Sequence, residues 1–274
     1  MYDLHCHSTC SDGQLSPADL VRRARERNVT VLALTDHDTL NGLPEAAATA
    51  EEVGIRLVPG IEFSCRWEGR GVHVVGLNFD PQHPQLLQAV EQQEITRWER
   101  AQLIGEKLAK LGIEGSFEGA CRLAGEGGMV GRPHFAQYLV EQGLVADIDG
   151  AFKRYLGTGK PGDVKQSWPV MEEAIGWIRA AGGLAVLAHP DKYKVTRTRL
   201  RAMVEEFRDV GGEGIEVVSG NQNANVTRDM QQLAARYELL ASCGSDFHFP
   251  GQSWQDLGVM PPLPESCTPV WERF

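Results

Sequence analysis

Val29-Thr30-Val31-Leu32-Ala33-Leu34-Thr35-Asp36-His37-Asp38 is the stretch from which the fold can be read. Its first six residues are apolar or β-branched throughout, without the alternation of a strand that has one wet face. Such a run fits a strand buried on both sides, as in a parallel sheet covered by helices. Helical patterns lie on either side of it. Upstream, Ser16-Pro17 supplies an N-cap and a proline at the first helical position, and that helix runs to about Arg27. Downstream, a helix from about Asn41 to Val53 ends at Gly54. Strands and helices in alternation indicate βα units.

The alternation extends in both directions. Met1-Tyr2-Asp3-Leu4 reads as a short first strand, and Ile55 to Ile61 and Val72 to Phe79 as two more. In the last third, a helix from Met171 to Ala181 stops at Gly182-Gly183, and Leu184 to Ala188 is a buried strand. Helix 198–209, strand 214–218, helix 223–236 and strand 238–241 follow. About seven units fit, enough to close a barrel. Between Pro84 and Val170 the pattern changes. Leu87, Val90, Trp98, Ala101, Leu108 and Leu111 share one helical face, no strand is legible, and glycine-rich joints at 125–131 and 157–162 separate shorter helices. The expected architecture is α/β, with a barrel formed by residues 1–83 and 171–274. Residues 84–170 are expected to be a helical insertion lying over its mouth.

Bulk properties agree with a single barrel-sized enzyme. The chain has 274 residues, 42% of them hydrophobic and 23% charged. No run approaches the roughly 18 to 20 apolar residues of a membrane span, and the N-terminus lacks a basic segment followed by an apolar one. A cytoplasmic protein without a membrane partner is expected. The formal net charge of −10 argues against a broad nucleic-acid surface. Acidic clusters that hold cations are locally neutralised, however, and can still receive phosphate. Cys6, Cys10, Cys65, Cys121, Cys243 and Cys267 have no paired metal-binding spacing and are expected to be reduced.

Residues of metal-binding type recur at the strand ends. His5 and His7 are two apart after the first strand, so an extended backbone points both the same way. Asp12 follows in Ser11-Asp12-Gly13, and His37 comes directly after the second strand. Glu62 ends the third strand and His73 begins the fourth. His189 follows Ala188, and Asp246 and His248, again two apart, close the last strand. One histidine after a strand is ordinarily a capping or core residue. Nine such side chains at successive strand ends converge on one barrel mouth, where barrel enzymes place their chemistry. Asp3, Asp36 and Asp38 are expected to cap turns or orient histidines. Six imidazoles and three carboxylates exceed the needs of one ion and suit two or three divalent cations, with Glu62 able to bridge. The absence of thiolate favours Mn²⁺, Fe²⁺ or Zn²⁺.

His5-Cys6-His7-Ser8-Thr9-Cys10-Ser11-Asp12-Gly13 resembles the opening motif of the polymerase-and-histidinol-phosphatase (PHP) superfamily. Thr35-Asp36-His37-Asp38, Gly60-Ile61-Glu62, Ala188-His189-Pro190 and Gly244-Ser245-Asp246-Phe247-His248 resemble its remaining motifs. The resemblance implies a distorted (β/α)7 TIM-like barrel and a two- or three-metal centre, with Mn²⁺ foremost. His5, His7, Glu62 and Asp246 would hold one ion, and Glu62, His73 and His189 a second. Asp12, His37 and His248 would hold a third. Gly131-Arg132-Pro133-His134, Gly159-Lys160-Pro161 and the helical insertion resemble the branch acting on nucleotides. That implies a phosphatase for the 3′-phosphate of nucleoside 3′,5′-bisphosphates, with short 5′-phosphorylated RNA as a further substrate attacked in the 5′→3′ direction. No obligatory protein partner is implied.

The implied chemistry is attack on phosphorus by a metal-bound hydroxide, with Asp246 accepting the water proton. Arg132 offers a planar fork for phosphate oxygens, His134 could donate to a departing oxygen, and Lys160 could contact substrate. The plainer account is that Arg132 and His134 only start a helix. The basic run of Lys192, Lys194, Arg197, Arg199 and Arg201 reads as a solvated face. Two rival functions are a histidinol phosphate phosphatase and a non-catalytic metal-binding module.

Overall fold

In the computed structural model, which describes residues 1–125, 127–165, 168–251 and 256–274, the run at Val29 does become a central strand. The strands are β1 (Tyr2–Asp3), β2 (Val31–Leu34), β3 (Arg56–Trp67), β4 (Arg70–Leu77), β5 (Leu184–Leu187), β6 (Gly214–Ser219) and β7 (Leu240–Gly244). They form one sheet in that spatial order. Beyond β1 and β7 the chain closes the circle. Leu4 N donates to Cys243 O at 3.0 Å, Asp246 N to His5 O at 2.8 Å and His7 N to Phe247 O at 2.9 Å.

The helices are α1 (Pro17–Glu26), α2 (Leu43–Val53), α3 (Pro84–Ala109), α4 (Ser116–Ala124) and α5 (Arg132–Glu141). The short α6 (Ile148–Ala151), then α7 (Met171–Ala180), α8 (Arg197–Asp209) and α9 (Ala224–Tyr237), complete the set. The predicted caps are present: Ser16 Oγ accepts from Asp19 N at 3.1 Å, and Gly54 is left-handed at φ 73°. Among the described residues no helix is long and apolar enough to cross a membrane.

Both faces of the sheet are dry, as the unbroken apolar runs predicted. In β2, Val31 and Ala33 point into a small barrel interior with Leu4, Val58, Val75, Val186 and Ala188. Leu32 and Leu34 point outward and pack with the covering helices, among them Leu20 and Val21 of α1 and Ala46 of α2. A separate apolar cluster sits within the helices between β4 and β5, around Ile104, Leu108, Phe135 and Leu139.

The expectation of uniformly parallel βα units is corrected at one strand. β4 runs antiparallel to both β3 and β5, while the other neighbours are parallel. β3 and β4 form a hairpin through Glu68 and Gly69, whose φ values of 47° and 74° suit a two-residue turn between twisted strands. β3 is therefore longer than the apolar run Ile55–Ile61, and Glu62 lies within the strand rather than at its end. Because β4 enters from the mouth, His73 near its start comes to the same face as residues at the ends of the parallel strands. His73 stands opposite Ser64 in the register.

Candidate metal centre

Each ligand-type side chain reaches the mouth for a local reason. His5, Cys6 and His7 continue β1 in extended form, bonded to the segment after β7, so His5 and His7 face the same side. Their Nε2 atoms are 3.1 Å apart. Asp12 is carried by a tight loop in which Ser11 N and Gly13 N both donate to Ser8 O. Only glycine fits at position 13, since a Cβ there would lie 2.2 Å from His7 O. Asp36 binds that loop to the end of β2 by accepting from Ser8 N, Ser8 Oγ and Ser11 Oγ at 2.6–2.7 Å. Asp3 accepts from Ser245 N at 2.8 Å and steadies the turn before Asp246. These buried carboxylates hold turns, as expected of them.

Glu62 is the hub. Its Oε1 is 2.9 Å from His189 Nε2 and 3.0 Å from His73 Nδ1. Its Oε2 is 3.0 Å from His37 Nδ1 and 3.4 Å from both His5 Nε2 and His7 Nε2. The carboxylate thus faces two sets of imidazoles, one with each oxygen. Asp246 Oδ1 is 3.5 Å from His5 Nε2 and from His7 Nε2. Asp12 lies 3.4 Å from His248 Nε2 and 3.7 Å from His37 Nε2. All nine predicted positions meet at one place. Three groups have ligand atoms close enough to share an ion: His5, His7 and Asp246; His37, Glu62 and His73; and His7, Asp12, His37 and His248.

The donor set fits divalent cations. Buried His37 Nδ1 and Glu62 Oε2 face each other at 3.0 Å without forming a hydrogen bond, and among the described residues buried His189 Nδ1 has no hydrogen-bond partner, an expensive state for dry polar atoms unless a ligand supplies one. Burial opposes ionisation of Glu62, Asp12 and Asp246, yet neighbouring cationic groups hold all three well below the usual carboxylate range. Burial, with His248 and His37 beside it, depresses His7 to about 3. Burial also opposes charge on His248, but Asp12 outweighs it and raises His248 to about 9. The backbone is strained where these side chains are delivered: φ is 56° at Asp38, 30° at His189 and 52° at Asp246.

Glu216 was not singled out from the sequence. It lies in β6, is buried, and its Oε1 is 2.5 Å from His5 Nδ1 while its Oε2 accepts from His189 N at 2.6 Å. One carboxylate therefore orients His5 and fixes the turn carrying His189. Its only sequence signal was an acid inside an otherwise apolar strand.

Beside the histidines lies a cavity lined by Asp12, His37, His73, Arg97, Arg100 and Arg132, with Phe152, Trp168 and Tyr193. Arg132 was predicted to be there; Arg97 and Arg100, on α3, were not. Arg97 is anchored by Asp38 Oδ2 at 2.7 Å and Ser64 Oγ at 2.8 Å. Arg100 is buried with Nε and Nη2 unpartnered. Burial, and then the charges of Arg132 and Arg97, depress its pKa to about 9. Trp168 lies 5.3 and 5.7 Å from the two α3 guanidinium carbons, and its carbonyl accepts from Arg66 Nε.

His134 is buried, and its Nδ1 accepts from Gly131 N at 3.0 Å. Burial lowers its pKa, so it stands as a neutral imidazole with Nε2–H as donor. Lys160 is exposed and does not line the cavity. His83 is the N-cap residue of α3.

Residues 3–183 match the family model of the PHP domain. The chain belongs to the PHP domain family. A 5′-3′ exoribonuclease of Haemophilus influenzae is 48% identical over 277 residues, covering 100% of this chain and 98% of that protein. A 3′,5′-nucleoside bisphosphate phosphatase of Chromobacterium violaceum is 44% identical, covering 99% and 95%. Among solved structures, a C. violaceum amidohydrolase with bound sulfate and no metal superposes with a TM-score of 0.94 at 43% identity, covering 99% of this chain and 95% of that one. A PHP chain of this kind closes its mixed barrel around the motif residues quoted from the sequence.

Proposed function

We propose that this PHP protein is a divalent-cation-dependent phosphoesterase that removes the 3′-phosphate of nucleoside 3′,5′-bisphosphates. The observation that carries the reading is the sharing of one cavity by the histidine centre and three guanidiniums. A substrate with two phosphates answers both halves. One phosphoryl group meets the nine donors, and the other neutralises Arg97, Arg100 and Arg132. Histidinol phosphate, with one phosphate and a cationic amine, would put its amine against those arginines. A non-catalytic module would have no use for three guanidiniums crowded at one cavity, one of them buried with two nitrogens unpartnered among the described residues. The names of the relatives agree with a nucleotide substrate.

His5, His7, Glu62 and Asp246 would hold one cation, Glu62, His73 and His189 a second, and Asp12, His37 and His248 a third. The mixed nitrogen and oxygen set favours Mn²⁺, with Fe²⁺ or Zn²⁺ as alternatives. Bound cations would supply an activated water and neutralise charge at phosphorus. Asp246 accepts the water proton. The neutral His134 donates its Nε2–H to an oxygen of the substrate, and Lys160 meets the part that projects outward. Residues 84–170 act as an insertion that brings Arg97, Arg100 and Arg132 over the barrel. A short RNA carrying a 5′-phosphate would seat that group in the same cavity, which unites the two activities named among the relatives. The six cysteines are unpaired, in keeping with a cytoplasmic setting.

Phosphate release from adenosine 3′,5′-bisphosphate, adenosine 3′-monophosphate and histidinol phosphate, before and after chelation, tests this. The bisphosphate should be preferred at least about 10²-fold in kcat/KM, one charge-assisted pair being of that size. Equal turnover of histidinol phosphate, or turnover untouched by chelator, would refute it.

A further inference from the structure

The basic run after His189 is not wholly a solvated face. Pro190–Tyr193 forms a 3₁₀ turn pinned at both ends. Lys192 N donates to His189 O at 2.9 Å; His73 N donates to the Tyr193 hydroxyl at 2.8 Å, and Arg70 Nη1 to Tyr193 O at 3.2 Å. The Tyr193 ring also packs edge-on against His189, centroids 5.5 Å apart. The turn has little freedom, so Lys192 is aimed. Its ammonium donates to Asp246 Oδ2. The other oxygen of that carboxylate faces His5 and His7. Lys192 therefore shares a carboxylate with the centre, while its side chain stays 42% exposed and reaches in from the solvent side.

A lysine there is not required for folding the turn, which backbone and Tyr193 contacts already hold. Nor does it complete the arginine cavity, which it does not line. Its ammonium, held at Asp246 on a long stem, is a point charge at the edge of the centre.

Building on the phosphoesterase reading, we propose that Lys192 is a catalytic residue whose ammonium contacts a non-bridging oxygen of the phosphoryl group being hydrolysed. On substrate entry it moves from Asp246 Oδ2 to that oxygen. The oxygen of the attacking water bonds to phosphorus and its proton passes to Asp246, as in the reading above. The bond between phosphorus and the ester oxygen breaks, the electron pair stays on that oxygen, which takes a proton from solvent water, and Lys192 transfers neither proton nor electrons. Its contribution is charge where charge gathers in the transition state.

The test compares wild type with Lys192→Met, Lys192→Arg and Lys192→Ala, each loaded with Mn²⁺. Substrates are adenosine 3′,5′-bisphosphate and a simple aryl phosphomonoester. Lys192→Met should lose about 10²-fold in kcat on both, the usual scale for one such donor. Its metal content should be unchanged, and its inhibition by inorganic phosphate weakened about 10-fold, the scale of one charged hydrogen bond. Lys192→Arg should keep part of the activity. Lys192→Ala should regain turnover when methylammonium is added, a response that a merely structural lysine would not give. Full kcat in Lys192→Met, or a fall in kcat matched by loss of metal, would overturn the proposal. Failure of the nucleotide reading would look different: the wild type would turn over the aryl ester and ignore the bisphosphate.

Discussion

Replacing Arg100 with methionine should make the protein more stable and a worse enzyme. Arg100 is only 8% exposed, two of its guanidinium nitrogens have no partner among the described residues, and two other arginines stand nearby. Its pKa falls from 12.5 to about 9. At about 1.4 kcal/mol per decade, that places the strain on its charged form on the order of 5 kcal/mol. Methionine keeps much of the buried stem. It gives up the contact with the Trp168 ring, about 1–2 kcal/mol, and some packing of similar size. A net gain of about 2 kcal/mol remains, roughly 4–8 °C in Tm for a chain of this length. One guanidinium–phosphate contact is about 1.5–3 kcal/mol, so KM for a 3′,5′-bisphosphate should rise roughly 10- to 150-fold. KM for an aryl phosphomonoester, which has no second anion, should hold. Thermal unfolding of the metal-free proteins, with steady-state kinetics on the two substrates, measures both effects. A lower Tm with an unchanged bisphosphate KM would mean that Arg100 is a structural residue with a partner, and the reasoning would fail.

Glu216→Ala removes the acceptor behind His5 and the backbone anchor of His189. Metal titration should show affinity reduced about 10- to 100-fold, with Tm of the metal-free protein less affected than metal retention. Gly244→Ala forces a Cβ to within 2.2 Å of the His5 side chain across the β1–β7 seam, so the seam must open; Tm should fall by several degrees and bound metal with it. Asp256→Asn weakens the pairing with Arg23 at 2.6 and 2.8 Å that ties α1 to the C-terminal segment, at a cost of about 1–2 kcal/mol at neutral pH. Hydrogen bonding to Arg23 holds the Asp256 pKa below its ordinary 3.8 despite burial. Its stabilisation is therefore present above that pH and lost as pH falls through the depressed value, so variant and wild type should converge in acid denaturation.

The ligand positions were legible because the mouth of a barrel gathers strand ends, and periodicity locates strand ends without knowledge of their neighbours. His5 with His7 needed only the two-residue repeat of extended chain, whereas Asp246 reaches the same place from a left-handed backbone at φ 52°. Strand direction was not legible in the same way. An apolar run such as Val72–Phe79 looks alike in either sense, and the decisive signal, Glu68-Gly69, is a weaker hairpin pair than Asn-Gly or Asp-Gly. Arg97 and Arg100 were hidden for another reason. They lie on a long helix whose glutamates are solvated, and only tertiary folding sets the face bearing Asp38 and Trp168 against it. Lys192 was hidden by its company, since Lys194, Arg197 and Arg199 nearby do point to solvent or pair on the surface.

The two halves of the cavity are electrostatic problems of opposite sign, and they touch through Asp38 and Arg97. On one side, three ionised carboxylates and orphaned imidazole nitrogens favour cations. On the other, the crowded guanidiniums of Arg97, Arg100 and Arg132 favour an anion, Arg100 having two nitrogens without a partner among the described residues. Neither half is satisfied by the protein alone, and burial makes both costly. Cations would remove the repulsion among Glu62, Asp12 and Asp246 while raising the positive potential facing substrate. A bisphosphate would relieve that potential and the strain on Arg100 together. Binding of metal and binding of substrate should therefore favour each other, because each ligand lowers a cost that the other meets. The strained backbone at Asp38, His189 and Asp246 lies along the same seam. The residues least favourable to folding are those whose cost a doubly phosphorylated substrate and bound cations would relieve.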